Sequence, residues 1–435
     1  MMKQMKATAI GLQHVLAMYA GAVIVPLIVG AQLGLSGEKL TYLVSIDLLM
    51  CGVATILQAM SNRFFGIGLP VVLGCTFTAV APMISIGSDF GITAIYGSII
   101  FTGLFVLLCA PIFGKLVQYF PPVVTGSVVT IIGITLIPVA MDNMAGGADS
   151  ENYGAISNLM LAFGVLVFII ILQRAFTGFI RAVSILIGLV VGTIVAAFMG
   201  KVDFSPLMDS AWIHVPKPFY FGAPTFEIAP IITMMLVAIV SIVESTGVYF
   251  ALSDICDRKL TEKEITKGYR AEGLAIFLGG FMNAFPYTTY SQNVGLVQLS
   301  GVKTRNVIFI AGGLLVAIGL IPKIGAITTL IPEPVLGGAM VPMFGMVVAY
   351  GIKMLGNVDL KQQENLLIIA CSVGMGLGVT VAPDLFAKFP EQIQILTDNG
   401  IVAGSFMAII LNVFLNELPN KVRKKTSHTT QEVAS

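Results

Sequence analysis

The sequence predicts an all-α polytopic membrane protein with fourteen transmembrane segments, arranged as two inverted repeats of seven. Three observations lead to this fold class. Of the 435 residues 56% are hydrophobic and only 11% are charged, whereas soluble globular proteins carry about a quarter charged residues. Apolar windows recur along the whole chain, and two similar Pro-Gly segments lie in opposite orientations. The composition excludes a water-soluble enzyme.

Fourteen windows approach the ~20 apolar residues that a helix needs to cross the hydrocarbon core of a bilayer. Three of them are short or interrupted by Gly and Pro, at 66–86, 270–285 and 286–299. The first window continues the hydrophobic pattern, so we interpret it as a span rather than a signal peptide. The eleven continuous windows run about 8–30, 40–60, 91–113, 122–140, 154–173, 178–200, 229–252, 304–322, 334–354, 364–383 and 399–416.

Basic residues indicate how the segments are oriented. With the N-terminus inside, 19 of the 24 Lys and Arg residues fall on the cytoplasmic side and 5 on the outer side. Such a bias follows the positive-inside rule. The sequence therefore predicts a multi-pass protein of the cytoplasmic membrane with both termini in the cytoplasm. Residues 417–435 are polar and basic, and we expect a disordered cytoplasmic tail there.

Charge and cysteine content exclude other classes of partner. The formal net charge is +1, which leaves no surplus of basic side chains for the phosphates of a nucleic acid. The five cysteines form no CxxC pair and have no His neighbour at metal-ligand spacing. We therefore expect no metal, no disulfide framework and no cofactor.

Two Pro-Gly segments about 211 residues apart suggest an internal repeat. They are 111–126 and 322–338, in which prolines and glycines fall in step with one inserted residue. The first would join spans four and five and the second spans eleven and twelve, a shift of seven. An odd shift inverts the second copy across the membrane, which is the usual construction of secondary transporters. The alternative is a chance similarity between two Pro-Gly loops.

The interrupted segments fit the same offset. Residues 68–78, shifted by about 211, fall beside 285–295. Extended backbone in a bilayer leaves N–H and C=O groups unpaired unless other groups satisfy them. We expect short extended stretches in segments 3 and 10 to pair with each other and to direct the N-termini of the following half-helices towards a substrate.

Two glutamates are candidate functional residues. Glu244 lies within an apolar span more than two turns from any other charge in it, which makes a functional site the default interpretation. It could take up and release a proton during a cycle, and the alternative is a hydrogen bond to a neighbouring helix. Glu272 lies nearer the inner interface, where it is either functional or a charged side chain reaching the helix end.

Four further polar residues lie inside predicted spans. Gln292 and Asn293 offer adjacent carboxamide donors and acceptors, which suit a planar heterocycle if the backbone there is unwound. Helix packing is the alternative for this pair. Asp47 is better explained by packing between helices. His14 is either an interhelical hydrogen-bonding group or a functional one.

The segment 292–301 reads Gln-Asn-Val-Gly-Leu-Val-Gln-Leu-Ser-Gly. It resembles the signature of the nucleobase-ascorbate transporter family, which reads Gln or Glu, Asn, any residue, Gly, four residues, Thr, then Arg, Lys or Gly. Ser300 replaces the usual Thr and keeps its hydroxyl. The resemblance extends over the whole chain through the segment 11–21, the Glu-Ser-Thr-Gly at 244–247, the Ala-Glu-Gly at 271–273 and the Pro-Gly junctions.

The resemblance implies a core domain of spans one to four and eight to eleven that moves against a gate domain of spans five to seven and twelve to fourteen, in a homodimer. On this chain the core would comprise 1–113 and 229–330 and the gate 114–200 and 331–416. An extracellular loop at 201–228 and the tail at 417–435 complete the chain.

The same resemblance implies roles for site residues. Glu244 and Gln292 would hydrogen-bond a nucleobase, and Asn293 belongs to the same substrate-binding set. Backbone groups of Phe77 and Ser291 would complete these contacts, with the Phe77 ring stacked on the base.

Proton coupling involves a further set of residues by resemblance. Glu272 matches an acidic position linked to proton coupling, which it would share with Glu244. His14 would support the site from behind.

Substrate choice also follows by resemblance. Gln292 at the start of the signature resembles the purine carriers for xanthine and uric acid, whereas uracil carriers tend to have Glu there. Thr76 resembles relatives that admit uric acid as well as xanthine, and we expect xanthine first and uric acid second. Val248 departs from several purine carriers, which have Asp there, and so weakens this inference. The alternatives are a uracil or hypoxanthine/guanine symporter of the same family, or an uncoupled facilitator or channel. The chain is not expected to be an enzyme, because the predicted spans contain no metal cluster and no nucleophile-base pair.

Overall fold

A computed structural model describes residues 2–418, apart from 149, 214, 387, 390–393 and 395–398. The predicted tail lies outside the described residues from 419 onwards. In chain order, the helices and strands are α1 (Met2–Gln32), α2 (Gly37–Ala59), β1 (Leu73–Cys75), α3 (Val80–Phe90), α4 (Ile92–Leu116), α5 (Pro122–Thr135), α6 (Ile137–Ala145), α7 (Ile156–Ala175), α8 (Gly178–Ala182), α9 (Ser184–Phe198), α10 (Ser205–Asp209), α11 (Ile228–Ile255), α12 (Glu262–Met282), β2 (Tyr287–Thr289), α13 (Ser291–Ser300), α14 (Asn306–Gly319), α15 (Pro322–Thr329), α16 (Glu333–Leu355), α17 (Gln363–Val381) and α18 (Gly400–Asn412).

The described part of the chain contains nine helices that are long and apolar enough to cross a membrane, where α5 and α6 count as one. The number rises to ten if α14 and α15, which meet at an angle of 81°, form one span. All of them fall on predicted windows. The four other windows coincide with α3, α9, α12 and α13, so helix length and composition support a multi-pass fold without establishing the number fourteen.

One of the interrupted windows is a complete helix. The window 270–285 was predicted to be short, but α12 has 21 residues and begins at Glu262. Thr261 and Glu264 form a capping box, in which each side chain accepts from the backbone N–H of the other residue. This cap starts the helix in a polar segment that a search for apolar residues overlooks.

The helices pack in two sets. One set contains α1–α4 with α11–α15, and the other contains α5–α9 with α16–α18. Within the first set the most extensive contacts are α4 with α12 and α2 with α14, and α11 touches α3 as α1 touches α13. In the second set α5 contacts α17, and α16 contacts α7. Helix α7 also packs on α9, and α17 packs on α18. Several of these contacts thus have a counterpart in the other half of the chain, whereas α11 also contacts α5 of the second set.

Glycines allow the two main crossings of the first set. A Cβ atom on Gly312 of α14 would lie 3.0 Å from the carbonyl oxygen of Gly52 on α2. A Cβ atom on Gly273 of α12 would lie 3.0 Å from the carbonyl oxygen of Gly103 on α4. Small residues at such crossings let helix backbones approach closely, which favours association in a bilayer.

The predicted pairing of the two interrupted segments is confirmed. Strands β1 and β2 form an antiparallel pair in which Leu73, Gly74 and Cys75 lie opposite Thr289, Thr288 and Tyr287. The pairing continues at both ends through Thr76 N–H to the Pro286 carbonyl, 2.9 Å, and Tyr290 N–H to the Val72 carbonyl, 3.0 Å. Every strand residue is buried. Backbone groups that lipid could not satisfy are therefore satisfied within the protein.

Candidate functional site

The site is built around the ends of the β1–β2 pair. A 3₁₀ turn at Phe77–Ala79 follows β1 and leads into α3, while β2 leads through Tyr290 into α13. Helix α11 contacts β2 and the 3₁₀ turn. Residues from the third, eighth and tenth predicted segments therefore meet at one place.

Glu244 of α11 lies beside the end of β1. The Thr78 hydroxyl donates to Glu244 Oε2 at 3.4 Å. One turn earlier on α11, Ser241 Oγ lies 3.4 Å from Thr76 Oγ1. Glu244 as a residue is half-buried, and it does not line the cavity beside Gln292. Thr78 and Ser241 were not singled out from the sequence. Their spacing was a signal, because Thr78 lies two residues after Thr76 and Ser241 lies three residues before Glu244.

Phe77 lies in an aromatic cluster. Its ring is nearly parallel to Tyr290, with centroids 6.1 Å apart and planes at 16°. Phe344 of α16 approaches it edge-on at 5.5 Å. Phe77 is therefore a contact point between the two sets of helices.

Ser291 and Gln292 lie in the first turn of α13, not in unwound backbone as predicted. Both are partly accessible and line a cavity of about 410 Å³. Helices α8, α9 and α16 close this cavity, to which they contribute Arg181, Ile185 and Tyr350. Gln292 can thus present its carboxamide to a small molecule.

Asn293 points away from that cavity. It is 1% exposed, and its Nδ2 donates to His14 Nδ1 at 3.1 Å and to the His14 carbonyl at 3.2 Å. His14 is likewise 1% exposed. The predicted carboxamide pair is therefore divided, since Gln292 faces open space while Asn293 ties α13 to α1.

Glu272 is enclosed by hydroxyl and amide groups and is 1% exposed. Ser245 donates to its Oε2 at 3.1 Å, and Tyr249 and Gln58 both donate to its Oε1. Ser245 also lies 3.1 Å from the Thr288 hydroxyl of β2. Glu272 therefore does not reach the membrane surface, and it lies within electrostatic range of Glu244.

Asp47 is fully buried, and its Oδ1 accepts the backbone N–H of Phe285 at 2.7 Å. The packing role expected for it is thus a cap on the backbone that precedes β2. Among the described residues, no group of three or more His, Cys, Asp or Glu side chains could hold a metal ion.

The arrangement suits hydrogen bonding to a planar polar ring. A half-buried carboxylate, a carboxamide and an aromatic ring surround the ends of a buried strand pair, and a second carboxylate lies behind them. Such groups can accept and donate hydrogen bonds.

The membrane-length helices and the paired broken segments define a multi-pass membrane carrier. A family model described as "Permease family" matches residues 5–385. The chain therefore belongs to this permease family, the nucleobase-ascorbate transporter family, and is a transport protein rather than an enzyme. The predicted family is confirmed.

Curated relatives cover nearly the full chain. The xanthine permease of Bacillus subtilis is 66% identical over 411 residues, which is 94% of each chain. The uric acid permease PucK of the same organism is 63% identical over 418 residues, or 96% of this chain and 97% of the relative. The transmembrane domain of a cyanobacterial bicarbonate transporter, BicA, superposes with a TM-score of 0.60 at 16% identity, over 94% of this chain and 96% of that one. That last likeness concerns the fold alone.

Proposed function

We propose that this protein imports a purine base, xanthine first and uric acid second, across the cytoplasmic membrane in symport with protons. The observation that carries the proposal is the relation of nearly the whole chain to permeases named for xanthine and uric acid, at 66% and 63% identity. The Glu244 carboxylate and the Gln292 carboxamide near the β1–β2 pair support it, because a purine offers ring N–H and C=O groups in one plane.

Glu244 and Gln292 hydrogen-bond the base from α11 and α13, and the backbone of Phe77 and Ser291 completes the ring of contacts. Thr76 shapes the site from the end of β1. In the present conformation Phe77 already contacts Tyr290 and Phe344, so stacking of its ring on a base requires Phe344 or Tyr290 to shift.

Proton coupling is assigned to Glu244 and Glu272. The two carboxylates are within electrostatic range of each other, and Ser245 bridges Glu272 to β2. A change in the protonation of this pair would therefore change the electrostatic environment of the strands that carry the substrate contacts. Asn293 and His14 are proposed to support the site without contacting the substrate, since they hydrogen-bond to each other and do not line the cavity.

Movement is proposed to follow alternating access between a core (1–113 and 229–330) and a gate (114–200 and 331–416), joined through the loop at 201–228. The two packed sets of helices support this division, and their paired contacts support fourteen segments in two inverted repeats. We further propose a homodimer with both termini in the cytoplasm. A ligand shifts such an equilibrium only by its differential affinity for the two states.

Uptake of labelled xanthine into cells that lack their own purine carriers tests the substrate. Unlabelled uric acid, uracil and hypoxanthine are added as competitors. We expect saturable xanthine uptake that uric acid inhibits and uracil does not. Inhibition by uracil alone would contradict the use of Gln292 and Thr76 while leaving the family intact.

A further inference from the structure

The segment between α9 and α11 connects the second set of helices, the proposed gate, to the first set, the proposed core. Its beginning is held by the gate. After Gly200, whose φ is +70°, the Lys201 N–H donates to the Ala196 carbonyl of α9 at 3.0 Å. The Lys201 ammonium donates to Ser157 Oγ at 3.0 Å and to Asn158 Oδ1, both at the start of α7. Lys201 therefore stays with the gate.

Helix α10, a few residues further on, is held by the core. Asp203 Oδ1 accepts the N–H and the hydroxyl of Ser205, at 3.0 and 2.7 Å, where α10 begins. Helix α10 contacts α2 and α15. Lys323 of α15 donates to the Leu207 carbonyl at 3.1 Å, and its ammonium lies 5.1 Å from the ring centroid of Trp212.

The middle of the segment is bound to α2 and α12. The Tyr42 hydroxyl of α2 donates to the Lys217 carbonyl at 2.8 Å. The Tyr42 ring stacks on Tyr220, with centroids 3.8 Å apart and planes at 11°. The Phe219 N–H donates to the carbonyl of Phe281 on α12 at 3.0 Å.

Towards α11 the segment lies against the end of α12 and against α4. The Phe221 N–H donates to Asn283 Oδ1 at 3.2 Å. The Thr225 N–H donates to the Thr93 carbonyl of α4 at 3.2 Å, and the two threonine hydroxyl oxygens are 3.3 Å apart. A Cβ atom on Gly97 of α4 would collide with the Thr225 carbonyl oxygen, so this close approach requires glycine.

The hydrogen bonds found between the described residues 204–213 and 215–227 and other parts of the chain all reach the core. We call these residues the strap. Only Val202 and Asp203 separate Phe204, the first residue of the strap, from Lys201 on the gate. A link of three residues spans at most about 10 Å.

We propose that the strap is a rigid part of the core and that the hinge between core and gate on this side is confined to residues 201–204. The second half of the core then begins at 204 rather than at 229, and the strap moves with it. The short hinge keeps Lys201 within about 10 Å of Phe204 throughout the movement. The role of the strap in transport rests on the proposed function, whereas its attachment to the core does not.

Hydrogen exchange followed by mass spectrometry tests the attachment in the purified protein without a substrate. We expect strap peptides that contain Phe219, Phe221 and Thr225 to exchange far more slowly than the peptide that covers 201–204, because their N–H groups are bonded to the core. Rapid exchange throughout the strap would overturn the proposal. This experiment needs no purine, so it remains decisive if xanthine uptake fails.

Paired cysteines in a variant without the five native cysteines test the movement. Thr93→Cys with Thr225→Cys places sulfur atoms where the hydroxyl oxygens lie 3.3 Å apart, and a disulfide there joins strap to core. Gly247→Cys with Thr125→Cys is the matched pair between core and gate. A Cβ atom on Gly247 of α11 would lie 3.7 Å from the Thr125 Cβ of α5, which suits a disulfide.

Xanthine uptake by each oxidised variant is compared with uptake by the same variant after reduction. We expect the Thr93–Thr225 disulfide to leave uptake unchanged, because strap and core move together. The Thr125–Gly247 disulfide should abolish uptake until it is reduced, because it joins the two moving parts. Reversible loss of uptake in both oxidised variants would show that the strap moves against the core and would overturn the proposal.

Discussion

The contact between Glu244 and Thr78 links α11 to the end of β1 through one long hydrogen bond of 3.4 Å. Because no other hydrogen bond of Glu244 is found among the described residues, most of its capacity remains available to a ligand. By contrast, the carboxylate of Glu272 already accepts hydrogen bonds from Ser245, Tyr249 and Gln58. This difference supports the proposal that Glu244, rather than Glu272, contacts the substrate.

Substitution of Glu244 by Gln should abolish xanthine uptake. The amide keeps the shape of the side chain but cannot alternate between a charged acceptor and a neutral acid. Thr78→Val, which removes the hydroxyl donor, should raise KM by about three- to tenfold, in line with the loss of one hydrogen bond. Uptake kinetics measured at matched membrane abundance decide both.

Thr78→Ser is the matched control for this pair, because it retains the donor. If Thr78→Ser and Thr78→Val behave alike, the hydroxyl contact to Glu244 has no part in transport.

Gln292→Glu should change substrate preference. A carboxylate in place of the carboxamide removes the N–H₂ donor from the cavity, so we expect xanthine uptake to fall and uracil to become an effective competitor. Gln298→Glu is the control, since Gln298 lies on the same helix and is exposed. Competition assays against labelled xanthine measure the effect, and an equal response of both variants would show that only added charge matters.

The glycines at helix crossings determine how closely the helices approach each other. Gly52 and Gly313 are both interior to helices, but a Cβ on Gly52 would meet the backbone N of Val316 at 2.7 Å, while Gly313 has open space around it. We expect Gly52→Ala to lower the melting temperature of the purified protein by several degrees, since backbone atoms cannot yield as a side chain can.

Gly313→Ala should leave that temperature unchanged or slightly raised, because Ala favours helix by up to about 1 kcal/mol over Gly. Equal destabilisation by the two substitutions would contradict the crossing geometry.

The sequence predicts some of these elements and misses others for physical reasons. The β1–β2 pair follows from Gly and Pro in two short apolar windows, because broken backbone in a membrane must find partners. The cluster around Glu272 could not be foreseen, since Gln58 and Tyr249 are separated by 191 residues and meet only in the folded chain. The orientation of Asn293 was also hidden, because its partner His14 lies 279 residues away.

The two sets of helices meet along α11 and α5, α1 and α9, and also beside the site. Phe77 of one set touches Phe344 of the other, and the cavity beside Gln292 lies between α13 and α16. A relative movement of the sets would therefore open or close the site directly.

Topology is tested by cysteine labelling in a variant whose five native cysteines are replaced. Ile213, in the loop between α10 and α11, is 78% exposed, and Lys361 is exposed between α16 and α17. With both termini inside, Ile213→Cys should react with a membrane-impermeant maleimide in intact cells, and Lys361→Cys only after permeabilisation. The reverse pattern would contradict the proposed orientation.

Transport by the purified protein in proteoliposomes tests whether xanthine import is coupled to protons. Labelled xanthine is first brought to the same concentration inside and outside the vesicles. A proton gradient directed inwards is then imposed. Proton-coupled import predicts a transient rise of internal xanthine above the external level that a protonophore prevents and that Glu244→Gln lacks. Equilibration at the same rate with and without the gradient would contradict proton coupling and identify an uncoupled facilitator.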